Sequence, residues 1–131
     1  MVREDGTLAM VDVQDARRGP LGYDLASLVY DAYVDLDEEL ASRLVESYRS
    51  ALPDPPDPGF FESRLRIVAA QRMIKALGTF GYQATALGRR RYLDGVPRTL
   101  ARLARLLPSS RETAPVGERL RAAGLLVGPR S

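Results

Sequence analysis

Apolar residues recur at intervals of three and four along most of this chain after residue 24, and this spacing limits the fold more than any other feature. Such intervals place side chains along one face of an α-helix. The expected fold class is therefore mainly α. Four to five helices are predicted, with starts at Asp24, just after Asp37, near Phe61, at Pro97 and at Pro115.

The first two predicted helices precede residue 53. One opens at Asp24, a candidate N-cap, and reaches Tyr33. Its predicted buried stripe consists of Leu25, Leu28, Val29 and Ala32. Asp37 is predicted to cap the second helix. The inner face of that helix is predicted to consist of Leu40, Leu44, Val45 and Tyr48.

A proline-rich run then interrupts the helical pattern. It reads Pro53-Asp54-Pro55-Pro56-Asp57-Pro58-Gly59, and it can form neither a helix nor a central strand. We expect an exposed connector at 53–59, followed by a long helix from Phe61 that ends at Thr79 or continues to Ala86. Gly78 and Gly81 weaken the second half of that helix. Because neither side of the connector is large enough to fold alone, the connector is predicted to lie within one domain.

The N-terminal residues predict a short β-hairpin. Met1-Val2 and Leu8 to Val13 are the two arms, and Arg3 to Thr7 is the turn, with Asp5-Gly6 as the turn signal. A two-stranded hairpin is not stable by itself, so it must pack on the helices or complete a sheet supplied by something else.

Composition excludes several kinds of site. The 131 residues include no cysteine and no histidine, which removes disulfides, thiolate zinc sites, imidazole ligands and the Ser-His-Asp triad. The net charge of +2 is nearly balanced, so no nucleic-acid partner is expected. Since no apolar run is long enough to span a membrane and no signal peptide is recognisable, we expect a cytoplasmic protein without membrane contact.

Asp12 and Gln14 are candidate metal ligands. They stand at the end of the second predicted strand, where alternate side chains point to the same side. Magnesium takes oxygen ligands, often one or two carboxylates with substrate phosphates and water. The alternative is that these residues cap a strand end or a turn.

The long helix carries a second candidate group, Gln71, Arg72 and Lys75. Gln71 and Lys75 are one helical turn apart, and the three can bind an anionic or polyhydroxylated ligand. The alternative is a solvated polar face. Arg89-Arg90-Arg91-Tyr92 is predicted to be an exposed loop, and no glycine-rich phosphate-binding motif is present in the sequence.

One block of the sequence reads Val11-Asp12-Val13-Gln14-Asp15-Ala16, then Gly19-Pro20, then Tyr23-Asp24-Leu25-Ala26-Ser27-Leu28. It resembles a segment of the aminoglycoside phosphotransferase and choline kinase superfamily. Within it, the block is most similar to the bacterial kinases that phosphorylate the anomeric hydroxyl of N-acetylmuramate and N-acetylglucosamine. The likeness continues through Gln71-Arg72, Lys75, Gly78, Phe80, Tyr92-Leu93 and Pro97-Arg98.

The resemblance implies roles for several residues. Asp12 matches the magnesium-binding aspartate, and Gln14 stands where some relatives have a second acidic residue on the metal side. Asp24 matches an aspartate that braces the catalytic loop. Val13 replaces the usual phenylalanine, a change of packing more than of ligation. The helices after Pro53 would wall the acceptor pocket, with Gln71, Arg72 and Lys75 as substrate contacts.

The departures from the family pattern are larger than the match. The family's catalytic loop, with an H.D….N pattern, precedes the hairpin, and this chain has no histidine. The resemblance therefore implies no catalytic residue in this chain and one partial domain, part of the C-terminal lobe of a protein-kinase-like fold. Within residues 1–131, a hairpin and metal-site loop would occupy 1–16, two helices 17–52, the connector 53–59 and a substrate-side helical subdomain 60–127.

Two interpretations follow. In the first, the chain is the C-terminal fragment of a kinase for amino sugars, of the kind used in cell-wall recycling. The complete enzyme would need ATP and Mg²⁺, its N-terminal lobe would come from elsewhere, for instance a separate chain, and the fragment alone would be inactive. In the second, the chain is a non-catalytic helical protein-interaction module derived from that family.

Overall fold

The computed structural model describes residues 1–9, 18–109 and 111–126. In these residues the chain is mainly α-helical, which confirms the predicted fold class. The helices are α1 (Tyr23–Val29), α2 (Glu38–Ser50), α3 (Pro58–Thr85), α4 (Val96–Leu106) and α5 (Ala114–Ala122). Two short 3₁₀ helices cover Arg90–Gly95 and Leu107–Ser109. No helix within the described ranges is both long enough and apolar enough to cross a membrane.

Helix α3 is the centre of the fold. It packs against α1, α2, α4 and the Arg90–Gly95 turn. Leu65 and Ala69 of α3 are almost completely buried, as are Leu103 of α4 and Leu107 just after it. The core is thus one continuous apolar cluster around α3, to which α1 contributes Leu25, Ala26 and Val29.

Helix α1 is shorter than predicted and begins differently. It ends at Val29, and its N-cap is Gly22, not Asp24, which lies exposed in the first turn. Leu28 was predicted to be buried but is 56% exposed, because this short helix presents only one narrow face to α3.

Aspartate side chains cap the N-termini of both α2 and α3. Asp37 Oδ1 accepts a 2.7 Å hydrogen bond from the Leu40 amide at the start of α2, which confirms the predicted cap. Asp57 accepts a 2.9 Å bond from the Phe60 amide, so α3 begins at Pro58 inside the predicted connector. On α2, Leu44, Val45 and Tyr48 pack on the core as expected, whereas Leu40 is exposed.

Helix α3 continues to Thr85 in spite of Gly78 and Gly81. Each glycine costs about 1 kcal/mol of helix propensity. Tertiary packing offsets this cost at Phe80, which is buried and contacts the rings of Tyr33 and Tyr92. The C-terminal helices α4 and α5 begin with Pro97 and Pro115 in their first turns, as predicted.

The predicted N-terminal hairpin is wrong in the part that the structure describes. In residues 1–9 the turn forms, with Gly6 donating to the Arg3 carbonyl at 3.0 Å, but only one isolated bridge joins Val2 and Leu8. These two side chains are 67% and 83% exposed, so no core holds a second strand in place. The rest of the second arm, residues 10–13, lies outside the described residues.

Candidate functional site

A cavity of about 270 Å³ lies between α1, the loop that follows it and the middle of α3. Its lining combines cations, a carboxylate, hydroxyl groups and aromatic rings, from Ser27, Tyr30, Asp31, Ala32, Tyr33, Arg72, Met73, Lys75, Ala76, Thr79 and Phe80.

One wall of the cavity is a single face of α3. Arg72 is followed by Lys75 and Ala76 three and four residues later, and Thr79 follows these by four and three residues, so all four lie on the same side of the helix. Gln71 is exposed and does not line this cavity. The structure thus brings Arg72 and Lys75 together at the cavity, whereas Gln71 lies outside its lining.

Arg72 is held against an aromatic ring. The central carbon of its guanidinium lies 4.4 Å from the ring centroid of Tyr23, in the first turn of α1. This is a cation–π contact, worth roughly 0.5–2 kcal/mol depending on its exposure. Because α1 and α3 pack together, the contact fixes a half-buried positive charge at the cavity wall.

The opposite wall is the loop after α1, and its backbone is tied down at several points. Oδ1 of Asp31 accepts hydrogen bonds from the amides of Tyr33 at 2.7 Å and Val34 at 2.9 Å. Arg102 donates to the Asp31 carbonyl at 2.5 Å, and Arg98 donates to the Tyr33 carbonyl at 3.1 Å. Helix α4 therefore sets the position of this wall.

Hydroxyl groups and rings complete the lining. Ser27 donates to the Tyr23 carbonyl at 2.8 Å, and Thr79 donates to the Lys75 carbonyl at 3.1 Å. With their hydrogens engaged inside the helices, both oxygens keep lone pairs that can accept from ligand hydroxyls. Tyr33 and Phe80 meet edge to face, with centroids 5.8 Å apart, and provide an apolar surface.

The charges at the cavity are unbalanced. It has two cations, Arg72 and Lys75, and one carboxylate, Asp31, and neither cation forms an ion pair with a carboxylate of the described ranges. Burial raises the pKa of the Tyr30 phenol, although Arg66 partly opposes the shift, so Tyr30 is a neutral hydroxyl at physiological pH. The arrangement suits binding of a polyhydroxylated molecule that carries negative charge.

Two neighbouring grooves are less suited to this. The larger one, of about 860 Å³, lies beside α2 and α4, but ion pairs of Arg102 with Asp35 and of Arg66 with Glu62 engage its charges. The other, of about 530 Å³, adjoins the cavity at Tyr33 and is lined by Ala32, Tyr33, Arg91, Tyr92, Asp94, Gly95 and Arg98.

The remaining predicted site residues are placed as follows. Asp24 lies outside the cavity lining, in the first turn of α1. Asp12 and Gln14 lie outside the described residues, so their role as metal ligands stays a prediction. Within the described ranges, no three acidic side chains come close enough together to hold a metal ion.

Sequence reasoning did not single out Tyr23 or Asp31 as partners of the α3 cations. Both are far from α3 in the sequence, and only the packing of α1 on α3 brings them near. Thr79 could have been added to the predicted site from the sequence alone, because it stands four residues after Lys75 on the same helical face.

Comparison with known proteins identifies relatives of this chain. It is 33% identical over 116 residues to an N-acetylmuramate/N-acetylglucosamine kinase of Neisseria meningitidis serogroup B. Kinases with the same name from Pseudomonas aeruginosa and Pseudomonas putida are 33% identical over 116 residues and 28% identical over 127 residues.

The match covers most of this chain but only part of each relative. The match to the Neisseria kinase includes 85% of the chain and 35% of that kinase. The match to the Pseudomonas aeruginosa kinase includes 85% of the chain and 34% of that kinase. For the Pseudomonas putida kinase the shares are 93% and 37%. The chain thus spans about a third of the length of these curated relatives. No family model matches the sequence, and no solved structure matches it.

Proposed function

We propose that this chain is the acceptor-binding part of a kinase that transfers phosphate from ATP to a hydroxyl of an amino sugar. The observation that carries the proposal is the 33% identity over 116 residues to relatives named as N-acetylmuramate/N-acetylglucosamine kinases. The superfamily resemblance and the C-terminal-lobe assignment belong to the same proposal.

The cavity supports the proposal chemically. A sugar presents several hydroxyls and an apolar ring face, and such ligands need hydrogen-bonding side chains beside an apolar or aromatic surface. Ser27 and Thr79 provide acceptors, and Tyr33 and Phe80 provide the aromatic surface. Arg72 and Lys75 are proposed as substrate contacts, whereas Gln71, the third residue of the predicted group, is exposed and does not line the cavity.

The metal and nucleotide chemistry of the complete enzyme is proposed from the resemblance. Asp12 would hold Mg²⁺, Gln14 would stand beside it and Asp24 would brace the catalytic loop. Phosphoryl transfer needs the nucleotide, the metal and the acceptor hydroxyl to be held together. We therefore expect the 131-residue chain alone not to consume ATP with either sugar.

A chimera tests the proposal. Residues 1–131 replace the matching segment of the Neisseria meningitidis kinase, and ATP-dependent phosphorylation of N-acetylmuramate and N-acetylglucosamine is measured. Turnover of either sugar is expected. A second chimera with Asp12→Asn should lose turnover while its circular dichroism and sugar binding remain, because the substitution removes only a carboxylate charge.

A chimera that is folded, as judged by circular dichroism and cooperative unfolding, but phosphorylates neither sugar would count against the proposal. Robust ATP turnover by the isolated 131-residue chain would refute the expectation that it is inactive by itself.

A second candidate function is a non-catalytic helical interaction module. One observation favours it: the core around Leu65, Leu103 and Leu107 is closed by the chain's own helices. Under this alternative the isolated chain is a stable monomer and unaffected by Mg²⁺. Aggregation relieved by an added N-terminal lobe would favour the kinase fragment instead.

A further inference from the structure

We infer that Arg72 and Lys75 select acceptors that carry a carboxylate, and that Tyr23 is the positioning residue that holds Arg72 ready for it. The inference rests on the proposed function, because it assumes that the cavity between α1 and α3 takes the acceptor.

Arg72 is positioned by its contact with Tyr23. The central carbon of its guanidinium lies over the Tyr23 ring, 4.4 Å from the ring centroid. The N–H donors of a guanidinium lie in its plane, so a contact of its central carbon with a ring leaves donors available for other partners. Within the described ranges, Arg72 donates no hydrogen bond to another residue. No residue of the described ranges occupies its edge, which has the geometry for a bidentate bond to a carboxylate.

Lys75 follows Arg72 by three residues on α3, lines the same cavity and is exposed to solvent. Its ammonium adds a second positive charge beside the guanidinium. The cavity thus offers an anion one fork-shaped partner and one point charge.

Asp31 does not cancel these charges. Among the described residues, the cavity lining has one carboxylate and two cations, and Oδ1 of Asp31 already accepts the Tyr33 and Val34 amides. A neutral sugar leaves the excess positive charge unmatched, whereas an acidic sugar neutralises it. The site should therefore prefer the acidic form of an otherwise equal ligand.

N-acetylmuramate and N-acetylglucosamine form a matched pair of probes, since the first is the second with a carboxylate-bearing lactyl ether. Each is titrated into the 131-residue chain at low ionic strength, with binding followed by ligand NMR. We expect N-acetylmuramate to bind about tenfold more tightly, the effect of one good charge-assisted contact. This preference should shrink as salt is added.

Substitutions test whether the preference comes from Arg72 and Lys75 and not from the overall charge of the chain. Arg72→Gln and Lys75→Gln should each lower the preference for N-acetylmuramate to about two- to threefold, because each weakens N-acetylmuramate binding more than N-acetylglucosamine binding. The matched control is Arg64→Gln: Arg64 also rests on an aromatic ring of α3, that of Phe60 at 5.3 Å, but lies outside the cavity. The control should keep the full preference.

Tyr23 is tested by two substitutions. Tyr23→Phe keeps the ring and should keep the tenfold preference, whereas Tyr23→Leu should lower it like Arg72→Gln. Circular dichroism and N-acetylglucosamine binding show whether each variant is folded, and a merely structural role would weaken both sugars equally.

Equal binding of the two sugars by the unmodified chain would overturn the charge selection and leave the proposed function standing. Binding of neither sugar would overturn the acceptor role of this cavity, and with it both proposals. A preference that survives both Arg72→Gln and Lys75→Gln would refute the assignment to these residues.

Discussion

The guanidinium of Arg102 on α4 reaches the loop after α1 and donates a 2.5 Å hydrogen bond to the carbonyl oxygen of Asp31. The same side chain forms an ion pair with Asp35 and a 3.4 Å bond to the Val34 carbonyl. One half-buried arginine thus holds three points of the loop that forms a wall of the candidate site. A helix far along the sequence thereby fixes the shape of the cavity.

Replacement of Arg102 by alanine should destabilise the protein and loosen this wall. Loss of its bonds to the loop should lower the free energy of unfolding by about 1–3 kcal/mol, because loop carbonyls lose a charged donor. Urea denaturation measures the change. Arg105→Ala, one turn along α4 at an exposed position, is the matched control and should stay within about 0.5 kcal/mol. Equal effects of the two substitutions would contradict this role for Arg102.

Leu65 and Leu28 should respond very differently to truncation, although both follow the apolar helical pattern. Leu65 is 1% exposed at the centre of the core, so Leu65→Ala should cost about 2–5 kcal/mol of unfolding free energy. Leu28 is 56% exposed, and Leu28→Ala should cost less than about 1 kcal/mol. Thermal and urea unfolding of both variants check this. A large loss at Leu28 would indicate that this side chain is covered by something else.

Local signals in the sequence predicted the helices well, because caps and prolines act through neighbouring residues. Asp37 caps α2, and Pro97 and Pro115 stand in the first turns of α4 and α5, as expected. The predictions failed where distant packing decides the outcome. The N-cap of α1 is Gly22 and not Asp24, Leu28 is exposed, and the arms at Val2 and Leu8 have no core to cover them.

The candidate site was predictable only in part for the same reason. Arg72 and Lys75 share a helical face and could be grouped from spacing alone. Their surroundings could not, since Tyr23 and Asp31 reach them only through the packing of α1 and its loop against α3. The metal assignment for Asp12 and Gln14 stays a prediction.

Gly22 should tolerate no side chain. Its φ of +79° is in the left-handed region, and a Cβ added there would lie 3.0 Å from Cδ1 of Leu65. Gly22→Ala should therefore lower the free energy of unfolding by backbone strain of about 1–2 kcal/mol together with the crowding of Leu65.

Gly6 provides the control for Gly22. It has φ of +81°, but no atom of the described residues lies within 4 Å of an added Cβ, so Gly6→Ala introduces strain without crowding by these residues. The difference between the two variants in urea unfolding measures the crowding against Leu65. If Gly6→Ala were as destabilising as Gly22→Ala, crowding of the added Cβ against Leu65 would contribute nothing.

Glu46 should give the protein a stability component that is lost in acid. Arg49 donates to both of its carboxylate oxygens, at 2.6 and 2.9 Å, and Ser50 donates at 2.8 Å. These bonds, that from Arg49 first, lower the pKa of Glu46 from 4.5 to about 2.

Because the folded-state pKa of Glu46 is the lower one, its contribution is fully present above about pH 4.5 and disappears as the pH falls towards 2. The stability difference between the unmodified protein and Glu46→Gln should therefore vanish over that range. NMR titration of the Glu46 carboxyl tests the cause: Arg49→Gln should raise its pKa towards 4.5, and Ser50→Ala should raise it less. A Glu46 carboxyl that titrates near 4.5 in the unmodified protein would contradict the fork of hydrogen bonds from Arg49.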